Sequence, residues 1–224
     1  MNWSQCLYWY WKERGGTYFG QEREGDEAVL LLEDVGGPLL ISTKVTSSGR
    51  YGTQRDVSVG IRVELERPYT LRIRPRSMVR EGVNTLLEGL DRGVQMLGKK
   101  GKLYRDFGAP EIADDRGIKT NEPEFTRWVL QSRELHSCLG EWPDHGVQIG
   151  PMGPDGRNHL VEARTALESG GEDLFDQFGQ PLEEEGMRAN YRATGFSKEL
   201  DALVALARAA RGAVTAWPMP LVQP

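Results

Sequence analysis

The chain is poor in the residues that build metal centres and disulfide scaffolds. Its 224 residues include two cysteines, Cys6 and Cys138, and three histidines, His136, His145 and His159. Two cysteines make neither a disulfide framework nor a four-cysteine zinc site, and their scarcity suits a reducing compartment. The sequence His136-x-Cys138 followed by His145 and His159 fits no usual zinc spacing. On a helix, positions two apart diverge by about 200°, so His136 and Cys138 would not share one tetrahedral ion. No metal or other cofactor is expected. A basic excess is also missing. Lys+Arg number 28 against 33 Asp+Glu, a formal net charge of -5, which argues against general nucleic-acid binding. No apolar run approaches the roughly 18 residues that span a bilayer. The charges Lys12 to Arg14 follow the first aromatic cluster rather than precede an apolar stretch, the reverse of a secretory signal. The chain reads as cytoplasmic.

What is present begins with aromatics. Trp3, Trp9 and Trp11 lie in the first segment, interleaved with Tyr8 and Tyr10. On a helix, Trp3, Leu7, Tyr10 and Arg14 share one side while Tyr8 and Trp9 point elsewhere. A helix aromatic nearly all round needs cover on more than one side. Either the rest of the fold supplies it, or the helix is a contact surface for self-association or a membrane interface. Gly15-Gly16 ends it.

Strand patterns follow. Residues 28–35 and 39–46 flank Gly36-Gly37-Pro38 as a hairpin, and 47–56 read as a polar loop. Val57, Val59, Ile61, Val63 and Leu65 alternate with Ser58, Gly60, Arg62 and Glu64, the clearest period-two signal in the chain. After the turn Glu66-Arg67-Pro68, Tyr69, Leu71 and Ile73 alternate with Thr70, Arg72 and Arg74. Four strands in succession predict an antiparallel meander. Apolar positions from Val79 to Leu97 recur at helical spacing over 77–97, with Gly82, Gly89 and Gly93 along one edge. Residues 98–117 are the longest irregular stretch, either a connecting loop or a site. Beyond it the pattern predicts a short strand at 118–120 and a helix over 122–140. A hairpin follows around Pro151-Met152-Gly153-Pro154-Asp155-Gly156-Arg157, then acidic glycine-rich sequence to Gly186 and a helix from Ser197 to about Gly212. The tail 217–224 carries three prolines and reads as extended.

Four groupings bear on chemistry. Gly93 to Lys100 imitates a phosphate loop, but Lys100 replaces the hydroxyl residue and the segment ends a helix instead of beginning one. Asp114-Asp115, with Glu111 and Glu122 nearby, is an acidic cluster able in principle to hold magnesium, and Lys119 follows Asp115 by four residues. Asp144-His145 in a turn could orient an imidazole as a base, and His159 could approach His145 if the second hairpin closes. No nucleophile motif accompanies them. Last, Arg62, Arg72 and Arg74 share the outward parity of their strands, with Glu64 among them, and Arg76 and Arg80 follow. Such a strip can take an anionic ligand or an acidic partner surface, or it is a solvated face with Glu64 paired to Arg72.

The fold class expected is α+β: a mostly antiparallel sheet carrying the long helix, over residues 1–97, then a helix–hairpin–helix lobe over 118–216, or one continuous domain. The leading function is a non-enzymatic interaction protein, contacting an unidentified protein partner or a second copy of itself. Its surface is the basic strip (Arg62, Arg72, Arg74, Arg76, Arg80) or the aromatic helix (Trp3, Trp9, Trp11). The alternative is a hydrolase or nuclease-like enzyme using Asp114, Asp115, Asp144, His145 and His159. The glycine edge gives a test. Gly89→Leu destabilises the protein by roughly 1–3 kcal/mol through overpacking, although leucine is the better helix former. Chemical denaturation showing equal or greater stability refutes close packing at that edge.

Overall fold

The computed structural model describes residues 3–20, 27–48, 52–74, 109, 112, 116–167 and 183–219. The expected helix 77–97 with its glycines, Arg76, Arg80, the segment 93–100 and the pair Asp114-Asp115 lie outside the described residues. The fold is α+β. In chain order the elements are α1 (Trp3–Arg14), β1 (Thr17–Phe19), β2 (Ala28–Leu32), β3 (Leu39–Ser48), β4 (Gly52–Glu64), β5 (Leu71–Ile73) and β6 (Ile118–Thr120). They continue with α2 (Pro123–Val129), α3 (Arg133–Glu141), β7 (His145–Pro151), β8 (Asn158–Leu167), α4 (Glu184–Thr194) and α5 (Phe196–Thr215). The strands form one eight-stranded antiparallel sheet, in the order β1-β2-β3-β4-β8-β7-β5-β6. Among the described residues no helix is long and apolar enough to cross a membrane.

By proximity the chain makes two compact units, each built from two stretches: Met1–Arg62 with Glu162–Ala207, and Val63–Val161 with Arg208–Pro224. In the first unit β2, β3 and β4 form the expected meander, with Leu30 opposite Ile41 and Ile41 opposite Val59. These three side chains and Val57 and Ile61 are fully buried, as the period-two pattern requires. Within the predicted polar loop 47–56, residues 47–48 and 52–56 instead continue the β3–β4 ladder, paired through Thr46–Gln54 and Ser47–Thr53 to Ser48–Gly52. The β-branched Val45, Thr46 and Thr53 favour the ladder over a loop even where the sequence is polar. Helix α1 packs on β2 and also meets β1, β3 and α4. Cys6, Leu7, Trp9 and Tyr10 are buried, so cover comes from several sides. Trp9, 6% exposed, is core and offers no contact surface, which corrects that part of the expected aromatic surface. Burial pushes the Cys6 thiol up to about 12 and raises the Tyr10 and Tyr191 phenols. Asp201 on α5 fastens α1, accepting from the Tyr10 hydroxyl at 2.8 Å and the Arg14 guanidinium at 2.5 Å.

Two helix assignments change. The predicted helix 122–140 is broken into α2 and α3. Gln131 and Ser132 N–H bond three residues back, to Trp128 and Val129 carbonyls, which tightens and closes the first helix. Ser132 then turns extended, and its hydroxyl accepts from Leu135 N–H, starting the second. The closing helix is longer than expected. It begins at Phe196, after α4 and a left-handed Gly195 (φ 70°), and runs through Gly212 to Thr215 because Ala213 and Val214 bury its last turn.

The second unit holds a buried arginine that no sequence pattern singles out. Arg116 is 4% exposed. Its guanidinium donates to the carbonyls of Leu139 (2.7 Å), Trp142 (3.0 Å) and His145. Carbonyls at the end of α3 lack partners within the helix and carry the negative end of its dipole. The planar fork answers several of them at once, which a single ammonium does less well. Arg116→Met is expected to lose roughly 2–5 kcal/mol of stability in urea denaturation, because buried acceptors are left unpaired. Arg116→Lys recovers part of it; full recovery would show that the fork geometry is not needed.

Candidate functional site: a basic groove on the sheet

The site is placed by the link between β4 and β5. A tight hairpin there would have set Arg72 beside Glu64. Pro68 supplies no N–H and holds Arg67 away from helical backbone. The link is captured instead by the segment before β8. Leu65 N–H donates to the Arg157 carbonyl at 2.9 Å, and a Cβ on left-handed Gly156 (φ 64°) would stand 2.5 Å from the Pro68 ring. Tyr69 N–H donates to His159 Nε2 at 2.9 Å, and His159 Nδ1 lies 2.8 Å from the Arg157 carbonyl. Nε2 accepts, so the proton sits on Nδ1 and is donated to Arg157. Strand β5 then lies between β6 and β7, with β8 and β7 separating it from β4. The expected β4–β5 hairpin, with Glu64 facing Arg72, is not formed.

Behind β5 the unit is apolar core. Tyr69, Leu71, Ile73, Val147 and Ile149 are buried. The Tyr69 ring meets Phe125 edge-on at 4.9 Å. Its hydroxyl bonds Thr126 Oγ1 at 2.8 Å, which donates to Thr120 Oγ1 at 2.8 Å. Burial raises the Tyr69 phenol. At the edge, the Asn121 side chain accepts from Thr70 N–H at 2.7 Å and donates to the Pro68 carbonyl at 3.2 Å.

In front of β5 the alternate residues make a polar row. Arg72 is opposed by Lys119 on β6 and by Gln148 on β7. One step back, Thr70 stands between Asn121 and Gly150, and nothing lies within 4 Å of a Cβ built on Gly150. One step on, Arg74 N–H donates to the Gly117 carbonyl at 3.0 Å, and the register of β7 brings Gly146 opposite on the other side. Gly150 thus leaves room beside a basic centre. A groove of about 560 Å³ lies over Thr70, Arg72, Lys119, Asn121, Gln148 and Gly150. That volume is in the range of small-ligand sites. Lys119 is exposed and has no carboxylate partner among the described residues, and Arg74 Nε is buried without a hydrogen bond. The nearest acidic residue along the β6 edge, Glu122, already accepts from Arg67 at 3.1 Å.

The residues proposed from sequence disperse. Arg72 lines the groove; Arg74 follows at the end of β5, outside its lining, and Arg62 and Glu64 are exposed on β4. Trp3 opens α1, and Trp11 is half-buried with its indole N–H on the Gly16 carbonyl at 3.1 Å. Asp144 is exposed, whereas His145 is 1% exposed and stacked on Trp142 at 5.1 Å. The expectation that His145 and His159 meet is overturned. Met152 N–H bonds the Asn158 carbonyl, so His159 lies by the hairpin turn while His145 opens β7 at the far end. Six residues of strand separate the two levels, about 20 Å. Lys119, Gln148 and Gly150 entered the site without a sequence signal beyond their outward parity. His136 is half-buried with Nε2 against the Leu130 carbonyl, and burial raises the Cys138 thiol. Among the described residues no three histidine, cysteine or acidic side chains converge as metal ligands.

His159→Ala leaves the buried Tyr69 N–H without its acceptor and is expected to cost roughly 1–3 kcal/mol. His159→Gln, which offers an oxygen, recovers a measurable part. Equal stability of wild type and His159→Ala in urea would refute the bracing role. No protein-family model, curated protein or solved structure matches this chain.

Proposed function

We propose that the protein is a non-enzymatic cytoplasmic binding protein that takes an anionic group, on a small ligand or an acidic partner surface, in the groove over β6, β5 and β7. The observation that carries this reading is the cation Lys119, which lines the groove opposite Arg72, is exposed and is paired with no described carboxylate. Directly opposed like charges on neighbouring strands, here Arg72 and Lys119, destabilise a sheet, and an anion between them reverses that sign. Local rules of this kind are broken at functional sites more than elsewhere. The guanidinium forks suit carboxylate and phosphate alike.

Titration with inorganic phosphate and with a hexaglutamate peptide, followed through the Lys119 and arginine side-chain NMR signals, tests the proposal. Saturable binding that weakens with added salt is expected. Lys119→Gln and Arg72→Gln should each weaken it about tenfold, as loss of one charge-assisted hydrogen bond implies. Arg127→Gln, on α2 and paired with Glu124, should leave it unchanged. Failure of both probes to bind, or wild-type affinity in the Lys119 and Arg72 variants, overturns the reading.

A further inference from the structure

A second surface of the molecule is built for the opposite charge. Three rings of the first unit meet where α1 faces β1. Tyr8 and Trp11 have centroids 5.5 Å apart, Tyr8 and Tyr18 5.7 Å, and Trp11 and Tyr18 5.7 Å, the last pair stacked. The sequence brings them together. Tyr8 and Trp11 are three apart on one helix face. Gly15 and Gly16, both left-handed (φ 77° and 94°), turn the chain back so that β1 returns along α1; a Cβ on Gly16 would stand 2.2 Å from the Leu31 carbonyl oxygen. Two of the rings are held by their polar ends. The Tyr18 hydroxyl donates to the Ser4 carbonyl at 3.1 Å and bonds Ser4 Oγ at 2.9 Å, and the Trp11 indole donates to Gly16. The rings are half-buried, so part of each faces solvent.

The surface already holds a cation. Lys12 Nζ lies 4.9 Å from the Trp11 ring centroid and 5.2 Å from that of Tyr8. Lys12 is exposed and has no carboxylate partner among the described residues. Its charge rests on ring faces, whose quadrupoles attract cations within about 6 Å. We infer that Tyr8, Trp11 and Tyr18 form a seat for a trimethylammonium group, with Lys12 as its tethered, displaceable occupant. The chemistry favours a methylated cation. The ring faces themselves offer no hydrogen-bond acceptor, and a primary ammonium or guanidinium that gives up water needs acceptors for its N–H groups. A trimethylammonium has no N–H to satisfy and is weakly hydrated, so ring faces alone suffice.

The test titrates tetramethylammonium chloride into the full chain while the indole N–H resonance of Trp11 is followed by NMR. Lys12→Gln removes the competitor and should bind roughly tenfold more tightly than wild type. Tyr8→Leu keeps apolar bulk but loses a ring face, and should bind at least fivefold more weakly than the Lys12→Gln protein when combined with it. Choline and free Nε-trimethyllysine compared on the Lys12→Gln protein distinguish a small-molecule source of the headgroup from a modified side chain; binding of either upholds the seat. The neutral isostere 3,3-dimethylbutanol should not bind. Lys12 is exposed, so its variant keeps the fold and the test stands even if Tyr8→Leu does not fold. No Trp11 response in the well-folded Lys12→Gln protein, or equal binding of the neutral isostere, overturns the inference.

Discussion

A buried peptide N–H must find an acceptor, and in the second unit the one on Tyr69 finds His159. That bond joins residues ninety apart in sequence and fixes what lies on either side of it. Because the chain leaving β4 is held at Leu65, Pro68 and Tyr69 by the segment before β8, β5 enters the sheet beside β7. Arg72 then meets Gln148 and Lys119 rather than Glu64. The strand neighbour of the arginine on β6 is therefore a lysine and not a glutamate. The groove is thus a consequence of where one histidine accepts a hydrogen bond.

Similar economy governs the other buried polar groups. Arg116 collects carbonyls at the end of α3, and Asp201 collects the Tyr10 hydroxyl and the Arg14 guanidinium from α1. In each case one charged or amphoteric side chain answers several groups from a distant stretch. Such contacts specify which segments associate, while the aliphatic core supplies most of the driving force. The cost of leaving any one of them unmade exceeds the net gain of making it.

The two proposed binding surfaces differ in how they hold charge. The groove over β5 presents Arg72 and Lys119 near Gly150, where an oxyanion would gain hydrogen bonds. The cluster of Tyr8, Trp11 and Tyr18 presents ring faces, where a cation without N–H groups gains without needing acceptors. Lys119 also places a charge on β6, the outermost of the described strands on that side of the sheet, where a lysine disfavours pairing with another chain. This second effect of the same residue needs no ligand.

The α+β class, the β2–β3–β4 meander, the second hairpin and the faces of β4 and β5 were legible in the sequence, because period-two burial is a local property of each strand. So was α1, through its glycine stop. The polar stretch of β3 and β4 was hidden because cross-strand pairing outweighed a loop-like composition. The split at Ser132 was hidden because a cap and a mid-helix serine read alike until the backbone turns. Arg72 and Arg74 could be assigned to a surface from parity alone. Their neighbours could not, since the side chains opposite depend on strand order. Strand order was decided by Pro68, Gly156 and His159 acting across the fold, and parity carries no trace of which distant acceptor will take a given N–H.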